Sequence, residues 1–175
     1  MKYFLISTEM NNNPMPQITD WYERIDPRDI TPERAGNIPD WTLFATEGDE
    51  VVFSDILSIP GFLVSSMVHD VLRLYNPYIQ SRQIVLLHKD VQTPQLYFLP
   101  IFQTCNCLLP ESELNKDKSK VVHGVIDAEK VKHRPFFKLG GVSDTHIAFR
   151  LDVVESILRR GAKGIHLKEL EVKEG

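Results

Sequence analysis

Two segments of the chain carry apolar residues with the spacing of a helix. The first stripe follows i, i+3, i+4, i+7 and consists of Val68, Val71, Leu72 and Tyr75. Ser65 or Ser66 is a suitable N-cap residue, and Asn76 precedes a proline, which disfavours helical geometry in the residue before it. The pattern predicts a helix between these signals, with His69 on its polar side.

The end of the chain repeats this arrangement. Asp152 stands where an N-cap belongs, and Gly161 follows two arginines as a C-terminal signal. A shift of 86 residues places Ser66 on Asp152, Val68 on Val154, Val71 on Ile157 and Leu72 on Leu158. We therefore expect one fold that contains two similar strand-helix-strand units.

Short β-forming runs separate and flank the two helices. They are Lys2–Thr8, Trp41–Ala45, Val51–Ser54, Ile84–His88, Gln95–Leu109 with an interruption at Pro100, Val121–Ile126, Pro135–Leu139, Ala148–Leu151 and Ile165–Val172. Two apolar helix stripes need a sheet to cover. The sequence therefore predicts an α+β fold, in which a mixed or antiparallel sheet is covered by two short helices. We expect residues 1–60 to form a divergent N-terminal part of the same domain, which contains strands and an irregular segment. We expect residues 61–175 to form its α+β region.

Composition narrows the classes of function. The 175 residues are 42% hydrophobic and 25% charged, which is typical of one globular domain. A net charge of −4 argues against a nucleic-acid or anionic-membrane binder and mildly favours basic partners. No apolar run approaches the length of a membrane span, and the run within Met1–Met10 is too short for a signal peptide. We expect a cytoplasmic protein in which Cys105 and Cys107 remain reduced thiols.

No motif for a cofactor, a phosphate or a metal ion is present. Asp144-Thr145-His146 is the strongest candidate for chemistry, because residues i and i+2 of an extended segment share a face. A general base also needs a nucleophile or a water, so we favour a loop-capping role for this segment. A small enzyme that uses Asp144, His146 and His123 remains the alternative.

From Gly61 onward the chain resembles a known family. The residues that carry the likeness are GFLVSSMVHDVLRLYNP, then IFQTCNCLLPESE, then FFKLGGVSDTHIAFRLDVVESILRRGAKGIHLKELEV. They resemble the predicted immunity proteins of bacterial polymorphic toxin systems, a family first described as a domain of unknown function and typified by a myxobacterial member. The resemblance spans Gly61 to Val172, and Cys105-Asn106-Cys107 stands where the family has an aspartate. It implies a non-catalytic antidote that binds a cognate protein toxin, without a cofactor.

The resemblance directs attention to residues that a partner protein would contact. Aromatic side chains in irregular segments are natural interface anchors, and acidic ones suit a basic toxin. The candidates are Trp21, Tyr22, Trp41, Asp49, Glu50 and Tyr78. The competing interpretation is that the aromatic residues hold the Thr19–Trp41 segment on the core and that the acids are simply solvated. A structural or regulatory protein-binding domain with other partners is a third hypothesis.

Overall fold

A computed structural model describes all residues from 1 to 175. The helices are α1 (Trp21–Arg24), α2 (Ser66–Tyr75), α3 (Ala128–Val131) and α4 (Leu151–Arg159). The strands are β1 (Tyr3–Thr8), β2 (Gln17–Ile18), β3 (Trp41–Glu47), β4 (Ile56–Leu57), β5 (Leu63–Ser65), β6 (Ser81–His88), β7 (Val91–Pro100), β8 (Thr104–Cys105), β9 (Glu113–Leu114), β10 (Val121–His123), β11 (Val125–Asp127), β12 (Phe136–Leu139), β13 (Ile147–Arg150) and β14 (Ile165–Lys173). The α+β class is confirmed.

The strands form two curled sheets of mixed direction and one short ribbon. The first sheet has the order β2-β3-β6-β7-β5-β4, and the second has the order β11-β14-β1-β13-β12-β8. β9 and β10 pair only with each other. The division drawn from the sequence at residue 60 lies between β4 and β5, which pair within the first sheet.

Five strands of each sheet correspond in order and in direction. The series β3-β6-β7-β5-β4 begins with a parallel pair and continues with three antiparallel pairs. The series β11-β14-β1-β13-β12 has the same directions. α2 connects β5 to β6 as α4 connects β13 to β14. The connectivity differs, since β7 follows β6 along the chain whereas β1 comes from the N-terminal end.

The two longer helices pack between the sheets and do not simply cover one of them, which corrects the predicted architecture. Their contact includes a hydrogen bond of 2.9 Å from the Tyr75 hydroxyl to the carbonyl of Asp152. The molecule has two halves, one built on the first sheet and one on the second. The surrounding core joins phenyl rings of both halves, such as Phe102, which follows β7, and Phe136 of β12, whose ring centroids are 5.5 Å apart. A second core lies between the first sheet and residues 21–38, and a third between the second sheet and residues 105–131.

The predicted limits of α2 are confirmed, whereas those of α4 need correction. The Ser65 hydroxyl accepts a hydrogen bond from the Val68 amide at 3.4 Å. In α4 the cap position is Arg150, and Asp152 lies in the first turn. There its carboxylate accepts two hydrogen bonds from Arg150, at 2.7 and 2.8 Å, which lower the pKa of Asp152.

Burial also corrects the repeat offset. Leu158 is 46% exposed, whereas Val153 is fully buried. The caps Ser65 and Arg150 are 85 residues apart, so Val68 corresponds to Val153 and His69 to the buried Val154. The prediction that His69 lies on a polar face is therefore wrong. Its ring stacks on Phe98 at 4.0 Å between centroids.

Two predicted strands are also wrong. Val51–Ser54 has no strand structure. Val121–Ile126 divides at Gly124 into β10 and β11, which belong to different sheets. A Cβ at Gly124 would lie 2.5 Å from Cδ2 of the buried Leu170, so a side chain at this position would require Leu170 of β14 to shift.

The position of β1 predicts that the chain tolerates circular permutation. Tyr3 pairs with Leu170, so β14 and β1 are neighbouring antiparallel strands whose ends lie close together. We expect a permutant that joins Gly175 to Met1 through a short glycine linker, and opens between Asn12 and Asn13, to fold with a free energy of unfolding within about 2 kcal/mol of the original. Urea denaturation followed by tryptophan fluorescence measures this value.

Removing residues 1–10 is the matched control. The truncated chain retains every other strand but leaves β13 and β14 unpaired on their facing edges, so we expect it to lose cooperative unfolding. A truncated protein as stable as the full chain would contradict this account of β1.

His69 predicts a pH dependence of stability. Burial lowers the pKa of His69, Arg73 lowers it further, and Asp70 opposes the shift. The unfolded chain therefore takes up a proton below about pH 6.5 that the folded chain resists, and the free energy of unfolding falls as the pH falls. We expect His69→Met to weaken this decline between pH 7.5 and 5.5 in urea titrations. The exposed His133→Gln should retain it, and equal declines in both variants would refute this role of His69.

Candidate functional site

A cleft of about 710 Å³ lies between the two halves of the molecule. Leu5 to Thr8 of β1 line it, and the loop between β4 and β5 contributes Ile59 and Pro60. One wall comes from the segment that precedes β3 and is mainly apolar, with Tyr22, Pro27 and Ile30. Residues between 120 and 168 supply most of the remaining lining, so both halves of the fold contribute to the cleft.

Three lysines contribute to the lining of the cleft. They are Lys120, Lys138 and Lys168, and none of them has a carboxylate within 4 Å. The strand register places Lys138 on the face of the second sheet that carries Ile6, and Lys168 on the other face, beside Leu5. Lys138 and Lys168 are half-buried. Asp144 is the one acidic residue in the lining, so the local charge is opposite to the net charge of the chain.

Two side chains of the cleft lining donate hydrogen bonds to backbone carbonyls. The Lys168 ammonium donates to the carbonyl of Val121 at 2.6 Å. Nε2 of His146 donates to the carbonyl of Ser119 at 2.9 Å. His166 also lines the cleft, and its Nδ1 lies 3.8 Å from Glu9. The fold therefore fixes the positions of the Lys168 and His146 side chains.

The structure brings Asp144 and His146 to the cleft, but it does not assemble the catalytic set of the alternative hypothesis. No hydrogen bond joins the two residues, because His146 binds Ser119. His123 lies outside the cleft and pairs with Glu171 at 2.9 Å. Across the chain, no three His, Cys, Asp or Glu side chains are placed to hold a metal ion.

Trp21 and Tyr22 have different environments despite their adjacency. Trp21 is only 2% exposed, and its ring centroid lies 5.1 Å from that of Phe44. It thus holds the irregular segment on the first sheet, and a partner would not reach most of its ring. Tyr22 is 67% exposed and forms part of the apolar wall of the cleft.

Trp41 belongs to a second surface, on the face of the first sheet against which α2 packs. Strand pairing places Leu43 beside Val85, and Val85 beside Leu96 on β7. Trp41 precedes Leu43 on this face and is 62% exposed. Exposed apolar side chains on three neighbouring strands therefore form a patch, which we call the sheet-face patch: Trp41, Leu43, Leu87 and Leu96. Contiguous patches of this kind are typical of interaction surfaces.

The other candidates lie elsewhere. Tyr78 is 91% exposed in the loop that precedes β6, at the end of the sheet where β3 also begins. Asp49 and Glu50 follow β3 at the opposite end, where Asp49 lies 3.5 Å from Lys89. The six candidate residues therefore do not form one site.

The sequence analysis did not identify Leu43, Leu87 and Leu96 or the three lysines. A signal for the patch exists in β3, because its outward side carries the large apolar residues Trp41 and Leu43 although its inward side already carries Phe44. A strand with large apolar residues on both sides suggests two packing surfaces. The lysines are far apart in sequence, and no local pattern unites them.

Comparison with protein-family models and with curated proteins finds no match for this chain. The family resemblance stated above therefore depends on the residues quoted for it. No helix of the structure has the length and apolarity required to cross a membrane.

The packing of Trp21 predicts that Gly61 is intolerant of a side chain. A Cβ at Gly61 would lie 2.5 Å from Cζ2 of Trp21, whose ring is held against Phe44. We expect Gly61→Ala to lower the free energy of unfolding by about 1–3 kcal/mol. Gly36→Ala is the matched control, since its Cβ would contact nothing within 4 Å. Equal urea midpoints for the two variants would contradict this packing argument.

Proposed function

We propose that this protein neutralises a cognate bacterial toxin by binding it, without chemistry of its own. The observation that carries the proposal is the sheet-face patch, where a sheet presents Trp41 and three leucines to solvent. Burial of such a patch against a partner would be favourable by the hydrophobic effect, and tryptophan is the residue type most enriched among energetically dominant contacts. The family resemblance supplies the identity of the partner.

The edge of the sheet argues for docking on the face and against addition of a strand. β2 pairs with the last residues of β3. The Thr19 amide donates to the carbonyl of Ala45 at 3.1 Å, and the Arg24 guanidinium donates to that of Leu43. Since these groups occupy the open edge of β3, little free backbone remains for a partner strand to bind.

Asp49 and Glu50 extend the proposed interface. They follow β3 directly, and both are exposed. A basic toxin docked on the patch would place cations within reach of these carboxylates and associate faster at low salt. In this proposal the complex forms inside the producing cell.

Co-expression tests the proposed function. We expect the product of the adjacent toxin gene to arrest growth alone, and this protein to restore growth and to co-elute with the toxin on a sizing column. Leu43→Lys and Trp41→Ala should abolish rescue, because each removes apolar contact area from the patch.

Val122→Lys is the matched control, because Val122 is 54% exposed on the second half of the molecule. It should rescue growth as the original chain does. Circular dichroism and urea titration verify that each variant is folded. Rescue by folded patch variants would show that this surface does not bind the toxin. The absence of a complex with any neighbouring gene product would contradict the proposed function itself.

A further inference from the structure

We propose that the sheet-face patch binds a basic amphipathic helix of the partner protein, which lies along β3 and β6 on the same side of the first sheet as α2. The inference rests on the proposed function, in which this patch is the surface that contacts the partner. It goes beyond that function by naming the structural element and the charge that the patch recognises. Its basis is the free width of the sheet, the arrangement of apolar side chains across that width and the acids at both ends of β3.

α2 limits how much of this sheet face a partner can reach. The His69 ring of α2 stacks on Phe98 of β7, and its Nε2 lies 2.8 Å from the hydroxyl of Ser81, with which it forms a hydrogen bond. An α-helix is about 10 Å across with its side chains, so a flat partner sheet would collide with α2 before it reached the patch. What remains free is a strip over β3, β6 and the part of β7 that contains Leu96. Three strands span about 10 Å, which is the width of a single helix.

Apolar side chains cover this strip over the length of a short helix. Strand register places Leu43, Val85 and Leu96 side by side on β3, β6 and β7. Trp41 lies two residues before Leu43, and Leu87 lies two residues after Val85. From the level of Trp41 to that of Leu87 the strands advance four residues, or about 13 Å. A helix of about nine residues spans this length, so its residues i, i+4 and i+7 would contact the patch from one face.

The charges around the strip favour a basic helix. Four exposed acids lie at the two ends of β3: Asp40, Glu47, Asp49 and Glu50. Lys89 lies 3.5 Å from Asp49, and the Arg24 guanidinium lies over the Phe44 ring on the other face of the sheet. Lysines or arginines near the ends of the docked helix would therefore meet carboxylates, whereas an acidic helix would be repelled.

Model peptides test the proposal on the full chain. Three fluorescein-labelled peptides of about 14 residues are compared by anisotropy titration. The first has leucines at i, i+3, i+4 and i+7 and lysines elsewhere, the second alternates the same residues with the period of a strand, and the third has the helix spacing with glutamates in place of lysines. We expect the first peptide to bind at least about tenfold more tightly than either of the others.

Tryptophan emission and matched variants locate the binding. Trp41 is exposed and Trp21 is buried, so a peptide on the patch should shift the emission to shorter wavelength by covering Trp41. Leu43→Ser with Leu96→Ser should weaken the first peptide at least about tenfold.

Leu158→Ser with Val122→Ser is the matched control, because both side chains are exposed on the second half of the molecule. It should leave the affinity within about twofold. Circular dichroism verifies that each variant is folded. If the double patch variant does not fold, Trp41→Ser replaces it, because Trp41 is 62% exposed, and anisotropy alone then reports binding.

Equal affinity for the helical and alternating peptides, tighter binding of the glutamate peptide or full binding by a folded patch variant would overturn the inference. A dimer in analytical ultracentrifugation that Leu43→Ser dissociates would also overturn it, because a second copy would then occupy the patch. None of these measurements needs the toxin. Patch-dependent rescue of growth without peptide binding would contradict the inference alone, whereas peptide binding without any toxin complex would contradict the proposed function alone.

Discussion

The fold depends on a gap that a strand-helix-strand connection leaves in each sheet. β5 and β6 run parallel, as do β13 and β14, and each pair is separated by the width of one strand. Without an antiparallel strand between them, the facing N–H and C=O groups of both strands would be unpaired, which a buried backbone does not tolerate. β7 fills the gap in the first sheet directly after β6. In the second sheet β1 fills it from the other end of the chain, so the N-terminal strand is required by the C-terminal half.

The two halves share this framework and differ where the candidate surfaces lie. β3 pairs with β6 over six residues, from Trp41 to Thr46, whereas β11 pairs with β14 over three. The first sheet therefore extends beyond the helix packed on it, and its uncovered part is the sheet-face patch. The segments before β3 and before β11 cover the outer cores, and both also contribute residues to the lining of the cleft. The framework alone would create neither surface, since both depend on strand length and on inserted segments.

Sequence reasoning succeeded where local chemistry decides the structure. The cap Ser65 and the stop at Asn76 bound α2 as predicted, and Gly161 has the left-handed φ of 79° expected after α4. It failed where a distant contact decides. His69 is buried against the ring of Phe98, on which it stacks, and the strand predicted through Gly124 divides where the chain passes close to Leu170 of β14. The place of β1 was not predictable either, since its alternating pattern does not reveal which strands it will join.

The net charge of the sequence also does not predict the charge of the candidate site. A net charge of −4 favours a basic partner, and Asp49 and Glu50 beyond β3 agree with that. The lining of the cleft has a net charge of the opposite sign, because folding brings lysines from β12, from β14 and from the segment before β10 to it, together with a single acid. Salt screens a charge beyond roughly 10 Å at ordinary ionic strength. A partner therefore responds to the charges near the surface that it contacts and not to the net charge of the chain. One small chain can therefore present an apolar face flanked by acids and, separately, a cleft whose lining has the opposite charge.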